Sequence, residues 1–171
     1  MPRAYHRPVD PLASTTQAHR ERLIAHVDNL ARLAGMIDAG ITAGFIEECE
    51  AEHRFMLEQL LPHMQVIETT LYRELDRLLA GRHSMDPMRR EHAELRRLVE
   101  SAGEFHDKVT SGLIGPTEAV GLRRALYRLH AMLRVHLAEE ELYERVLAQG
   151  LSDEVKAELA RGIEQAAAEP M

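Results

Sequence analysis

Residues 122–140 read Leu-Arg-Arg-Ala-Leu-Tyr-Arg-Leu-His-Ala-Met-Leu-Arg-Val-His-Leu-Ala-Glu-Glu, and this stretch decides the fold. Leu122, Leu126, Leu129 and Leu133 recur at alternating steps of four and three, the spacing of one helical face, and the pattern runs on past His136. The helix extends from about Thr117 to Ala148. A histidine on the apolar side of a long helix needs a partner, because a buried polar group is costly when unsatisfied. The candidate partners stand at a fixed interval. His92 lies 44 residues before His136, and His19 lies 44 residues before His63.

Helix level turns this interval into a site. With one turn near Gly40 and another in the Ser111–Pro116 stretch, His19 and His63 sit about equally far from the first and His92 and His136 from the second. At about 1.5 Å per residue, antiparallel partners then meet at one height. His26, seven residues past His19, would lie about 10 Å deeper. The spacing therefore predicts four inward histidines, His19, His63, His92 and His136, in one layer of a bundle. His26, His53 and His130 could be imagined as a second layer holding a haem or another metal, but their helical phases do not match the first set.

The rest of the chain fits an all-α, up-down four-helix bundle with an additional C-terminal helix. Residues 1–13, with Pro2, Pro8 and Pro11, read as an irregular arm, and residues 14–148 as the bundle. Ser14 to Gln17 has the form of a capping box, followed by Leu23, Val27, Leu30, Ala34 and Ile37 at helical spacing. The second helix starts near Thr42 and passes through Phe45, Leu57, Leu60 and Leu61. Pro62 inside it predicts a kink just before His63. Residues 81–86 read as a connection. Asp86-Pro87 places a capping acid before proline at the start of the third helix, which carries Leu95, Leu98 and Val99. Residues 149–171 form a last helix and tail, capped at Ser152, with Val155, Leu159 and Ile163 on one side, which either covers the bundle, the expected use, or mediates association.

Composition narrows the function. The chain has 171 residues, no Trp, 4% aromatic residues and a formal net charge of −7, which argues against nucleic acid or an anionic membrane as partner. One cysteine, Cys49, cannot form an internal disulfide or a thiolate cage, and it reads as an inert buried thiol. With no long apolar run and no signal-peptide core, the expected location is the cytoplasm, as a monomer or small homo-oligomer. Met36, Met56, Met64 and Met132 read as core filler, and Tyr72 and Tyr143 either support the site or pack at the bundle end.

A mixed set of imidazole and carboxylate donors points to iron, manganese or zinc. Glu140 follows His136 by four residues, about 40° round the helix, so both side chains can reach one ion. Glu139 and Glu141 point to either side. After His63 the four-residue position is Ile67, which cannot ligate. Glu68, one residue further, turns inward only if the helix is distorted, for example by a π-bulge.

Four segments together resemble the haemerythrin-like, HHE cation-binding domain over roughly Ser14 to Leu147. They are His19-Arg20-Glu21, Leu61-Pro62-His63-Met64 with Glu68 and Leu71-Tyr72, Glu91-His92-Ala93-Glu94-Leu95, and Val135-His136-Leu137-Ala138-Glu139-Glu140-Glu141. The resemblance implies a non-haem di-iron centre bridged by carboxylates and an oxo or hydroxo group. Its small ligand would be dioxygen, peroxide or nitric oxide. It gives ligand roles to His19, His63, His92, His136 and Glu140, with Glu68 as second bridge. Two positions depart from the family. Ile67 replaces the usual glutamate after His63, and Arg96 stands where oxygen carriers of the family have another histidine, so the chain is nearer the bacterial branch than a transport protein. Three functions follow: a di-iron protein that binds or reacts with a small oxidant, with peroxide or nitric oxide turnover a possible activity; an iron- or redox-sensing module; or a bundle with a mononuclear or degenerate site serving in association.

Overall fold

A computed structural model describes residues 11–79 and 83–168. Helix α1 (Pro11–Met36) ends in a single 3-10 turn (Ile37–Ala39). The second arm of the bundle is α2 (Ala43–Phe55), a π-helical turn (Met56–Leu60), α3 (Leu61–Thr69) and α4 (Leu71–Leu79). The third and fourth arms are α5 (Asp86–Thr110) and α6 (Pro116–Gly150), and α7 (Asp153–Ala168) follows. No strand occurs among the described residues, and α1 and α5 both pack on α6 in an all-α bundle. Gly40 and Gly112 take positive φ at the two bundle turns, a backbone conformation that glycine adopts without strain.

Helix boundaries differ from the sequence expectation in ways that the local chemistry explains. The first helix begins at Pro11, so Ser14 and Gln17 lie inside it and form no capping box; Thr16 instead returns its hydroxyl to the Leu12 carbonyl at 3.0 Å. Proline's fixed φ suits a first helical position. The expected arm otherwise falls on residues 1–10, outside the described residues. Asp86 does not cap α5; its carboxylate takes Arg89, and the Asp86 N–H donates to Ser84 Oγ at 3.1 Å. The connection before it is tied down by Asp76, which accepts the Met85 N–H at 2.8 Å and Arg89 at 2.6 Å. At the second helix, Thr42 caps as expected by accepting the Phe45 N–H at 3.2 Å.

The expected disturbance at Pro62 is a π turn. Leu61 donates its N–H to the Met56 carbonyl, five residues back, just where the proline ring would crowd the ordinary preceding turn. The wide turn absorbs an extra residue and brings His63 into register with His19. A second interruption was not anticipated. Thr69 and Thr70 hydroxyls bond back to the Gln65 and Val66 carbonyls, Thr70 swings to φ −112° and ψ −75°, and the helix restarts at Leu71. Such back-bonding competes with the helical ladder.

The core is divided in two. One apolar cluster fills the long part of the bundle with Leu23, Val27, Leu30, Phe45, Phe55, Leu95, Leu98, Leu126, Leu129 and Leu133. The other, with Leu12, Ile67, Leu71, Tyr72, Leu75, Met88, Leu147, Leu159 and Ile163, lies where α4 and α7 close the end. His63 falls between Leu60 of the first cluster and Ile67 of the second, and His92 between Leu95 and Met88. The polar layer therefore separates the two clusters. Helix α7 contributes Leu159 and Ile163 to the end cluster, capped by Ser152 Oγ on the Val155 N–H at 3.5 Å, so it covers the bundle end.

Candidate metal centre

The four predicted histidines meet as two pairs. His19 Nε2 lies 2.7 Å from His63 Nδ1, and His92 Nε2 lies 2.9 Å from His136 Nε2; the ring centroids are 4.6 Å apart in both pairs. Glu140 lies between the pairs. Its Oε2 is 3.4 Å from His63 Nε2, while its Oε1 accepts the Tyr72 hydroxyl at 3.1 Å. Tyr72 Oη is in turn 3.3 Å from His92 Nε2. His63, His92, His136 and Glu140 are all buried.

Partners on the far sides of the rings assign the tautomers. His92 Nδ1 donates to Glu68 Oε1 at 2.7 Å, and His136 Nδ1 donates to Glu91 Oε2 at 2.9 Å. A neutral imidazole carries one N–H, so with Nδ1 donating, each Nε2 presents a lone pair. Two lone pairs then face one another at 2.9 Å beside the Glu140 carboxylate. They repel unless a positive charge sits between them. His92, His136 and Glu140 each offer one donor atom within 4.8 Å of the others, and this donor set fits a metal ion. Imidazole nitrogens held from behind by carboxylates are the usual supporting shell of such a site.

The other pair is built differently. Arg22 Nη2 stands 3.3 Å from His19 Nδ1, which leaves Nε2–H of His19 to donate to His63 Nδ1. His63 Nε2 then points at Glu140 but makes no hydrogen bond, and it is a buried polar atom with no hydrogen-bond partner among the described residues. With Nδ1 accepting from His19, a neutral His63 carries its proton on Nε2, so this nitrogen aims an N–H at the Glu140 side of the layer and would serve as a metal donor only once that proton has left it.

Electrostatics follow from this packing. Burial, then the His136 ring, depresses His92 to about 4; burial, then His63 and Arg22, depresses His19 to about 4. Both are therefore neutral near pH 7, the form in which imidazole ligates. Burial alone would raise Glu140, but the adjoining His63 together with His136 and His92 outweighs it and holds the carboxyl down at about 2. Burial and the Glu140 charge push the Tyr72 phenol far above its ordinary range.

Glu68 faces His92 from behind, where Arg96 also binds it at 2.8 Å, and it does not line the space between the ring nitrogens. Arg96 thus holds that carboxylate away from the ring nitrogens that face inward. Ile67 lines a small cavity with His19, His63, Leu23, Leu137, Glu140, Glu144 and Ile163. A groove between α1 and α6 adjoins it, and Thr16, Arg20 and Glu144 line both. Arg20 and Glu144 form a largely buried ion pair there. Burial raises Glu144 to about 7, because Arg20 offsets it only in part and the Glu140 charge adds to it.

The other histidines have separate uses. His26 stacks on Phe55 at 3.9 Å and meets both oxygens of buried Glu52 at 3.1 Å, while His53 stacks on His106 at 4.2 Å. His130 lies 3.8 Å from Asp28. They do not form a second layer. Cys49 is buried and its thiol is pushed up to about 11 by burial and by Glu50 and Glu52.

Two residues of the centre escaped the sequence reading as members of it. Glu91 adjoins His92 in sequence yet serves His136 on the neighbouring helix, and Glu144 lies a helical turn beyond Glu140. Only the turn spacing from Glu140 carried a signal for the second; nothing local signalled the first.

An all-α bundle with a buried layer of imidazole and carboxylate donors defines a metal-binding helical protein. A family model described as Hemerythrin HHE cation binding domain matches residues 13–167. The chain belongs to the haemerythrin HHE cation-binding family. No curated protein and no solved structure matches it. No helix among the described residues is long and apolar enough to cross a membrane.

Proposed function

We propose that this protein binds iron at two positions that share Glu140, and that the site takes dioxygen or a related small oxidant such as peroxide or nitric oxide. The observation that carries this reading is the split of Glu140: Oε1 faces the Tyr72 and His92 side, and Oε2 faces His63. His92, His136 and Glu140 would hold one ion, and His63 with His19 and Glu140 the other. Bound there, iron would supply the redox couple and the open coordination positions that a small oxidant needs.

The protein's own groups prepare this chemistry. Glu68 and Glu91 fix ring orientation and leave both Nε2 lone pairs facing inward. Leu23, Ile67, Leu137 and Ile163 give the small cavity apolar walls, which disfavour bulk water beside the site. The Arg20–Glu144 pair lies where that cavity adjoins the groove and bounds the path by which a small molecule would arrive.

Iron content and absorption of freshly purified protein test the reading. About two iron ions per chain are expected, with the near-ultraviolet charge transfer of a coupled ferric pair. Protein that takes up no iron refutes it. A His136→Ala variant with undiminished iron refutes the ligand set. A second reading, a mononuclear site, draws on the His92, His136 and Glu140 cluster and on the hydrogen bond that already pairs His19 with His63. A single iron per chain without the coupled-pair band selects it.

A further inference from the structure

We propose that Tyr72 is itself a ligand, its phenolate oxygen completing the His92, His136 and Glu140 position in place of the carboxylate that Ile67 removes. This rests on the reading that the site holds iron. The placement is unusual for a residue nine positions after His63. On an unbroken α-helix nine residues amount to about half a turn of net rotation and about 13 Å of rise, so Tyr72 would face away from the His63 side. The interruption at Thr70 and the restart at Leu71 re-aim it. Its ring, fully buried, lies 5.3 Å from the His92 ring at an interplanar angle of 27°.

The hydroxyl is set as a donor atom rather than as a packing accessory. It lies 3.3 Å from His92 Nε2 and 3.1 Å from Glu140 Oε1, two of the three side chains that form the candidate ion site. The proton of His92 is on the opposite nitrogen, engaged by Glu68, so Nε2 offers no N–H to the phenol. The phenol can give its single proton to only one neighbour at a time, and its oxygen shares a small space with donors that all await a cation. The two positions that might have supplied a carboxylate instead are out of play. Ile67 has no donor, and Glu68 is committed to His92 Nδ1 and Arg96.

Ligation exchanges one bond for another. The Tyr72 O–H bond breaks, the proton leaves to bulk water, and the oxygen lone pair forms the bond to ferric iron; no electron is transferred. Release of protons on metal uptake is the general consequence of such exchange. An anionic oxygen donor also favours the ferric over the ferrous state.

Full-length protein loaded with ferric iron tests this. Wild type should show a visible phenolate-to-iron charge-transfer band, with tyrosine ring modes enhanced in resonance Raman spectra excited within it. Tyr72→Phe, which keeps the ring and removes only the oxygen, should lose the band while retaining iron, and its ferric/ferrous potential should rise. Tyr143→Phe should keep the band. Wild-type protein that binds iron without the band, or Tyr72→Phe protein that retains it, overturns the ligand assignment and leaves the iron reading standing. Wild-type protein that binds no iron overturns both. Should Tyr72→Phe fail to fold, wild-type protein carrying ring-deuterated tyrosine decides the matter: shifted ring modes support the assignment, and the absence of enhanced tyrosine modes refutes it.

Discussion

Replacing Ile67 by glutamate tests how the missing carboxylate shapes the site. Ile67 is 1% exposed and belongs to the end cluster, while it also lines the cavity with His19, His63, Glu140 and Glu144. In metal-free protein the change forfeits the burial of an isoleucine side chain, about 1.5–3 kcal/mol. It also buries a carboxyl group beside Glu140 and Glu144. Held neutral by their charges, the new acid costs about 1–3 kcal/mol more. The sum is roughly 2.5–6 kcal/mol, which at about 2–4 °C per kcal/mol in a domain of this size lowers the melting temperature by roughly 5–24 °C. Iron should reverse part of this, because the new carboxylate becomes a donor; each tenfold gain in affinity returns about 1.4 kcal/mol at saturating metal. Thermal unfolding followed by circular dichroism, with and without iron, reads both effects. An Ile67→Gln control should be destabilised similarly, with a smaller recovery on iron addition. The reasoning is refuted if metal-free Ile67→Glu protein melts with wild type, or if iron raises variant and wild type by the same increment.

Further outcomes follow from single contacts. Glu91→Ala removes the carboxylate behind His136 and should weaken metal binding about 10–100-fold in competition with a chelator, while Glu91→Gln, which keeps an accepting oxygen, should lose less. Unchanged affinity in the alanine variant would show that Glu91 does not orient the ring. Asp76→Ala should cost about 1 kcal/mol at pH 7 by freeing the Met85 N–H and Arg89. Burial raises the Asp76 carboxyl, but the Met85 N–H and Arg89 together hold it below its ordinary value of 3.8. Its contribution is therefore present above that value and lost as pH falls through the lower folded one, so urea denaturation of variant and wild type should converge in acid. A gap that does not narrow as pH falls below 3.8 would contradict this. Cys49, buried and pushed up to about 11, should resist alkylation in native protein at pH 8 and react on unfolding; rapid native labelling measured by mass spectrometry would refute its burial.

The two histidine pairs show how much of the centre was legible. Helical period and turn position are properties of neighbouring residues, so Leu122 to Glu140 and the repeated interval could be converted into height and face before any packing was known. That sufficed to bring His63, His92, His136 and Glu140 into one layer and to prefer His19 over His26. It also located the strain at Pro62, where the π turn lies. Caps were read less well. Ser14 and Asp86 have capping side chains, but Pro11 allowed an earlier start and Arg89 took the Asp86 carboxylate.

Ring tautomers, by contrast, depend on groups brought from other helices. Glu91 belongs by sequence to His92 and by contact to His136. Glu68 looked like a bridging carboxylate and was drawn behind His92 by Arg96, a residue 28 positions away. Tyr72 was aimed by a helix break that threonine back-bonding created. The chain alone determined an all-α bundle, the level of its polar layer and the residue types in it, because helical periodicity is local. Tertiary structure alone decided which nitrogen of each ring faces inward and which oxygen stands beside it, because hydrogen-bond partners 20 to 68 residues apart compete for the same few atoms.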